Sequence, residues 1–252
     1  MHAASLPRRA AAELLGTALL VTVVVGSGIM AADLSADVGL QLLANSIATA
    51  FGLAVIILVV GPVSGAHLNP VVSAADWCIG RRNRAGLSPR DLGIYVVAQV
   101  AGAILGAVLA NVMFDLAPVT WSTTDRDQSN LWLGEMVATA GLILLIFALA
   151  RSGRHYAAPA AVGAYIGAAY WFTSSTSFAN PAVTVGRAFT DTFAGIAPAS
   201  VPGFVVAQVV GTAVGLGLLV ALYPQPERGA QDVVVPHGTS LNRERDDGHG
   251  RR

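Results

Sequence analysis

The chain has 252 residues, of which 54% are hydrophobic and only 12% charged, and its formal net charge is zero. Soluble domains carry about a quarter charged residues, so this composition indicates a chain that faces lipid. Zero net charge offers no general attraction to nucleic acid, and the single cysteine, Cys78, excludes an internal disulfide and a multi-cysteine metal site. We therefore expect a lipid-embedded protein without a metal or other cofactor.

Six apolar stretches are long enough to cross a bilayer about 30 Å thick, which takes about 20 helical residues. The first follows Arg8 and Arg9, as in a signal peptide, but the run is long enough to span and no convincing cleavage site follows it. In chain order, the predicted spans are 10–32, 42–61, 92–114, 131–150, 157–175 and 201–223.

Two further apolar segments, 66–79 and 178–190, are too short to span. Each contains an Asn-Pro pair near its start, Asn69-Pro70 and Asn180-Pro181. Proline suits the first position of a helix, where no N–H is needed. Short interrupted segments at matching places in two halves of a membrane chain are typical of a central pore or binding site.

The charged residues between the spans predict the topology. One set of loops carries Arg8, Arg9, Arg81, Arg82, Arg84, Arg90, Arg151 and Arg154. The opposite loops carry Asp33, Asp37, Asp115, Asp125 and Asp127, with Arg126 and Arg187 as their basic residues. The positive-inside rule then places both termini in the cytoplasm of a multi-pass protein of the inner or plasma membrane. The polar segment 224–252 is expected to be a disordered tail.

The two halves of the chain, about 10–114 and 131–223, are copies of one another. Residues 96–102 match 205–211, residues 69–73 match 180–184, and Glu13 has its counterpart in Glu135. Each copy reads span, span, half-span, span, and three spans per copy force the second to be inverted in the membrane. The predicted fold is an all-α membrane protein of six transmembrane helices and two half-helices in an inverted repeat.

Inversion brings the N-termini of the two half-helices together near the middle of the bilayer. Each carries about half a positive charge from its unpaired N–H groups, so the facing ends repel cations and accept neutral dipolar molecules. Asn69 and Asn180 add amide donors there, which orient a passing water and interrupt a proton wire. The predicted pore boxes are Asn69-Pro70-Val71 and Asn180-Pro181-Ala182.

Two glutamates lie inside predicted spans, where an ionisable group suggests a function. We expect Glu13 and Glu135 to act as scaffolds that accept backbone N–H groups from the loops before the half-helices. His67 is expected to be a packed loop residue. An inverted-repeat secondary transporter that uses the two glutamates is the alternative. An enzyme is not expected, because no nucleophile motif accompanies Ser64 and His67.

Residues 10 to about 223 resemble the aquaporin and aquaglyceroporin (major intrinsic protein) family. The segments SGAHLNP at 64–70 and FANPA at 178–182 are similar to the family's two boxes. The resemblance implies an aquaporin-like channel domain over 1–223 and a homotetramer with one pore in each subunit.

The sequence departs from the family beside the second box. Most members have an arginine directly after it, which forms the narrow outer filter, whereas this chain has Val183. Carrying the filter over by offset from the box gives Ser177 as its neighbour. Because the stretch before each box is about two residues shorter than usual, the helix-borne filter residues are Phe51 and Tyr170, or else Thr49 and Ala168.

Replacing arginine by valine removes a fixed charge and a fork of five donors. The filter should therefore be wider and more apolar, and favour bulky neutral solutes. Together with GRAFTDTF at 186–193, it resembles the aquaglyceroporins of bacterial arsenic-resistance operons. That resemblance implies passage of neutral metalloid hydroxides such as arsenite, of glycerol-like polyols and of water. A water-selective aquaporin is the alternative.

Arg187 lies four residues after Val183, hence one helical turn outward on the same face. Our hypothesis is that Arg187 lines the outer vestibule and supplies a positive field there. The competing interpretation is that it pairs with Asp191, one turn further on.

Overall fold

A computed structural model describes residues 4–81 and 86–224, and all the regular structure in these ranges is helical. The predicted positions Arg82 and Arg84, and the tail beyond Pro224, lie outside the described residues. The helices are α1 (Leu6–Leu34), α2 (Val38–Ser64), α3 (Pro70–Gly80), α4 (Pro89–Met113), α5 (Ser129–Arg151), α6 (Ala158–Phe172), α7 (Pro181–Gly186) and α8 (Val201–Leu222). The all-α prediction is confirmed.

Five of these helices, α1, α2, α4, α5 and α8, are long and apolar enough to cross a membrane. The remaining predicted span, 157–175, becomes the 15-residue α6, which follows directly on the 3-10 turn His155–Ala157. It ends earlier than predicted because the backbone of Thr173 is extended and does not continue the helix.

The half-helices α3 and α7 both begin at a proline that follows a capping asparagine. The Oδ1 atom of Asn69 accepts from the Val71 N–H at 3.1 Å, and that of Asn180 accepts from the Ala182 N–H at 3.0 Å. These bonds satisfy N–H groups that a helix start leaves unpaired. The second half-helix is shorter than the predicted 178–190, since α7 tightens into a 3-10 turn at Arg187–Phe189.

The loops before the half-helices have the same unusual backbone. Positive φ angles occur at three positions in each loop, 111 residues apart: Gly65, Ala66 and Leu68 in the first, and Thr176, Ser177 and Ala179 in the second. Non-glycine residues adopt such angles at a cost and keep them only where surrounding contacts enforce them. The shared conformation shows that the sequence repeat is also a structural repeat.

Glycines allow the long helices to pack closely in pairs. Gly102 and Gly106 of α4 lie against the backbone of α1, and Gly211 and Gly215 of α8 lie in the same way against α5. A Cβ atom at any of the four would overlap a carbonyl oxygen of the facing helix. Small residues are the usual means by which membrane helices approach closely.

Candidate channel pore

The two boxes meet through their asparagine side chains. The Nδ2 atom of Asn69 donates to the Ala179 carbonyl at 2.7 Å, and the Nδ2 atom of Asn180 donates to the Leu68 carbonyl at 2.8 Å. Each asparagine therefore caps its own half-helix and holds the loop of the other. Because an Nδ2 group carries two hydrogens, one N–H of each amide is left over for a molecule in the adjoining cavity.

Glu13 holds the loop that precedes α3. Its Oε1 atom accepts from the Ser64 hydroxyl at 2.6 Å and the His67 N–H at 3.0 Å, while its Oε2 atom accepts from the Leu68 N–H at 2.6 Å and the Gln99 amide at 2.7 Å. Four donors on one carboxylate offset the cost of burying its charge.

Glu135 repeats this arrangement before α7. Its Oε1 atom accepts from the Ser175 hydroxyl and the Phe178 N–H, both at 2.7 Å, and its Oε2 atom accepts from the Ala179 N–H at 2.8 Å and the Gln208 amide at 2.6 Å. The hydrogen bonds of Gln99 to Glu13 and of Gln208 to Glu135 were not predicted. The glutamine shared by the two sequence repeats was the signal that could have revealed them.

Neither glutamate faces the pore. Both are 0% exposed and lie outside the wall of the cavity described below. A transporter that binds its coupling ion at these carboxylates would have to break a complete set of hydrogen bonds. This geometry weighs against the transporter alternative.

His67 packs in the first loop beside the cavity. Its Nδ1 atom lies 3.0 Å from the Ser73 hydroxyl, and its ring meets the edge of Tyr95 with 5.4 Å between centroids. The Tyr95 hydroxyl in turn donates to the Ser64 carbonyl at 2.9 Å. The histidine is thus part of the packing of this loop.

A narrow cavity of about 60 Å³ passes both boxes. A water molecule needs roughly 10–15 Å³ of such space, so a short file of small molecules fits. Aliphatic side chains from several helices form most of its wall, and Asn69 and Asn180 of the two boxes are also part of it. On the α7 side the wall includes Val183 and Arg187.

The predicted filter residues divide between the cavity and the outer surface. Thr49, Tyr170, Ser177 and Val183 line the cavity, and the Thr49 and Tyr170 hydroxyls are 3.2 Å apart. Phe51 is 71% exposed on the outside of α2, so the prediction that it lines the filter is wrong. Ala168 is also exposed. The structure therefore places Tyr170 from the first predicted pair and Thr49 from the second on the cavity wall.

Arg187 lines the same cavity as Val183, at the start of the 3-10 turn that follows α7. The interpretation that it pairs with Asp191 is wrong. The Asp191 carboxylate instead accepts from the backbone N–H of Thr123 at 2.9 Å and from its hydroxyl at 3.1 Å. Within 4–81 and 86–224 the one ion pair is that of Arg9 and Asp91, at 3.3 Å.

Comparison with known proteins agrees with this geometry. Residues 1–179 match the sequence model of the family described as major intrinsic protein. Aquaglyceroporin AqpS of Rhizobium meliloti (strain 1021) is 52% identical over 219 residues, which cover 87% of this chain and 91% of that protein. The chain belongs to the major intrinsic protein family. It is accordingly a membrane channel and not an enzyme.

Other relatives of this major intrinsic protein are more distant. The glycerol uptake facilitator protein of Pseudomonas aeruginosa is 33% identical, over 82% of this chain and 85% of its own length, and aquaporin Z of Photorhabdus laumondii is 34% identical, over 62% and 71%. The X-ray structure of the aquaglyceroporin from Plasmodium falciparum superposes with a TM-score of 0.65 at 23% identity, covering 87% of this chain and 98% of that one. This superposition confirms the predicted aquaporin-like fold.

The match to the family model ends one residue before Asn180. The second box therefore rests on the longer relatives and on the geometry that Asn180 shares with Asn69. The combined findings support passage of small neutral solutes through this major intrinsic protein.

Proposed function

We propose that this channel conducts glycerol-like polyols, neutral metalloid hydroxides such as arsenous acid, and water, passively along their gradients. The observation that carries the proposal is Val183, a buried aliphatic side chain on the cavity wall one residue after the second box. Two relatives, an aquaglyceroporin and a glycerol uptake facilitator, support the polyol class.

The cavity beside Val183 is polar on some sides and apolar on others. Val183 on this wall is aliphatic, while its neighbours Thr49, Tyr170 and Ser177 each carry a hydroxyl group. A polyol has the same division, since its C–H edge suits the apolar part and its hydroxyls suit the polar part. A single water molecule has no apolar edge and gains nothing from the valine. The wall therefore favours solutes larger and less hydrated than water.

Ions are excluded by the boxes in this proposal. The N-termini of α3 and α7 direct partial positive charge at the cavity, and Asn69 and Asn180 offer amide N–H donors beside them. A neutral molecule accepts hydrogen bonds from these donors, whereas a cation meets only positive potential.

The test is stopped-flow light scattering of proteoliposomes in gradients of water, glycerol, urea and arsenite. We expect glycerol and arsenite to enter faster than into empty vesicles, with flux linear in concentration and independent of a proton gradient. Water flux alone would identify a water-selective aquaporin instead. Saturable uptake coupled to protons would favour the transporter alternative.

Restoring arginine next to the second box tests the role of Val183. The variant Val183→Arg should lower glycerol and arsenite permeability about tenfold or more, because the guanidinium narrows the opening and adds a charge. Val183→Met is the matched control, since methionine adds length without charge or donors. Undiminished uptake by Val183→Arg would place the filter elsewhere.

We also propose that the protein is a homotetramer of the inner or plasma membrane with both termini in the cytoplasm. The distribution of arginine over the connecting loops supports the orientation. The family resemblance supports the tetramer.

A further inference from the structure

Arg187 is a buried cation inside the channel. It is only 3% exposed, its Nε atom donates to the Ala194 carbonyl, and its guanidinium carbon lies 3.4 Å from the centroid of the Phe178 ring. The carbonyl and the ring hold the plane of the guanidinium in one orientation. Phe178 lies two residues before the second box and lines the cavity, so the arginine is anchored to the pore wall itself.

The remaining donors of Arg187 are left for the cavity. Among the described residues no carboxylate lies within 4 Å of the guanidinium, and none accepts a hydrogen bond from Nη1 or Nη2. Nη1 and Nη2 are also not fully enclosed by the protein, so both retain some accessible surface. Since Arg187 is part of the cavity wall, the open space they reach is that cavity.

A second polar group on this wall also lacks a partner. The Oγ atom of Ser177 is enclosed and makes no hydrogen bond to any residue that the structure describes, although the side chain is 2% exposed and lines the cavity. A buried hydroxyl without a partner costs free energy unless something fills the site. Because Ser177 lines the cavity, a solute there becomes the partner when the side chain turns its hydroxyl out of this enclosed position.

We propose that Arg187 is the filter cation of this channel and, with Ser177, forms a subsite for adjacent hydroxyl groups. The role carried by an arginine directly after the second box in most of the family would thus have moved four residues along the chain, from position 183 in α7 to position 187 in the 3-10 turn that follows α7. The inference rests on the proposed polyol function and names the groups that select for it.

The chemistry follows from the geometry of the fork. With Nε engaged, Nη1 and Nη2 present parallel N–H donors that match two neighbouring hydroxyl oxygens of a polyol. The Ser177 hydroxyl can accept from or donate to the same solute. Val183 leaves the pore open beside them, so solute binding and pore width are set by different residues. The fixed charge of Arg187 also repels cations in a site of low dielectric.

Three variants separate these roles. Arg187→Met removes the charge and all donors at similar length, and Arg187→Lys keeps the charge without the fork. Arg126→Met is the matched control, because Arg126 lies 5.1 Å from the same Phe178 ring and donates to the Gly195 carbonyl at 3.0 Å but is not on the cavity wall. Thermal melting of the purified proteins establishes that each variant is folded.

Two readouts apply to each variant in proteoliposomes. The first is the ratio of glycerol to 1,2-propanediol permeability, since the diol lacks one hydroxyl. Loss of the fork should lower this ratio about threefold to tenfold, the effect of one hydrogen bond. The second is the leak of sodium ions and protons, which should rise at least about tenfold on loss of a unit charge near the permeation path.

The proposal predicts both changes in Arg187→Met, the ratio change alone in Arg187→Lys, and neither in Arg126→Met. A folded Arg187→Met protein with the wild-type ratio and the wild-type leak would overturn it. If Arg187→Met does not fold, the ratio in Arg187→Lys decides in the same way. If the wild-type protein admits no polyol, the proposed function fails, and the leak still decides whether Arg187 is the filter cation.

Discussion

Thr49 of α2 and Tyr170 of α6 meet on the wall of the cavity, although the two residues are far apart in sequence. Their hydroxyls are 3.2 Å apart and both side chains are buried on the cavity wall. Each can keep this contact and still offer a hydrogen-bonding site to a solute. They therefore complete the polar part of the wall that faces a passing polyol.

We predict that Thr49→Val lowers glycerol permeability about twofold to tenfold, because it replaces a hydroxyl by a methyl group of similar volume and removes one hydrogen bond. Arsenite uptake, measured in the same vesicles, should fall in parallel. Phe51→Leu, on the outer face of the same helix, is the control and should conduct as the wild type does. Equal permeability in both variants would mean that Thr49 takes no part in selection.

The error at Phe51 has a simple geometric cause. Successive residues of an α-helix are about 100° apart, so Thr49 and Phe51 point in nearly opposite directions. The stretch before each box is about two residues shorter than is usual in the family. The sequence does not show whether this shortening falls in the loop or in the helix. The same uncertainty affected Tyr170 and Ala168 on α6. In each helix, packing against its neighbours decides which of the two faces the pore.

At the scale of elements, the sequence predicted most of the helices and misjudged their ends. The half-helix predicted at 178–190 is a six-residue α7 followed by a 3-10 turn, and α6 stops at Phe172. These ends depend on tertiary contacts, among them the bonds of Glu135 to the Phe178 and Ala179 N–H groups. Hydrophobicity along the chain carries no information on such contacts.

The close packing of α1 against α4 should make the protein's stability sensitive to a substitution at their contact. Gly106→Ala should lower the free energy of unfolding by about 1–3 kcal/mol, because the new methyl group overlaps the backbone of Ala18. Gly217→Ala on α8 is the control, since no atom lies within 4 Å of a Cβ built there. It should leave stability unchanged or raise it by up to about 1 kcal/mol, as alanine favours helix.

Thermal unfolding of the detergent-solubilised variants measures both effects. An unchanged midpoint for Gly106→Ala would show that the α1–α4 contact adjusts to an added methyl group. The equivalent change in the second half, Gly215→Ala against α5, should repeat the result if the two halves pack alike.

At the scale of the molecule, the inverted repeat and the loop charges make a prediction about orientation. A fluorescent reporter that folds only in the cytoplasm should be active when fused after Arg252. An alkaline phosphatase reporter, active only outside, should work when inserted near Trp121, between α4 and α5. The physical reason is the clustering of arginine in the loops on the opposite side. The reverse pattern of activities would show the opposite orientation.

Cross-linking and size measurement of the purified protein test the proposed tetramer. A species four times the mass of the 25.8 kDa chain is expected. A stable monomer that still conducts solutes would show that each pore works alone and that assembly is not required for conduction.

The sequence by itself determined the class of this protein. Apolar stretches of spanning length, two Asn-Pro boxes and an internal repeat leave few arrangements in which every backbone group is satisfied in lipid. The family assignment confirms the channel, and the sequence alone shows Val183 as a departure from the family.

Only the tertiary structure decided which side chains share the cavity. Thr49 and Tyr170 line the cavity, whereas Phe51 lies on the outer surface. Arg187 does not pair with Asp191, because the Asp191 carboxylate accepts from Thr123 instead. The physical reason is that a pore wall combines single residues from several helices. Their rotation and depth are set by packing between elements distant in sequence, and no local pattern records it.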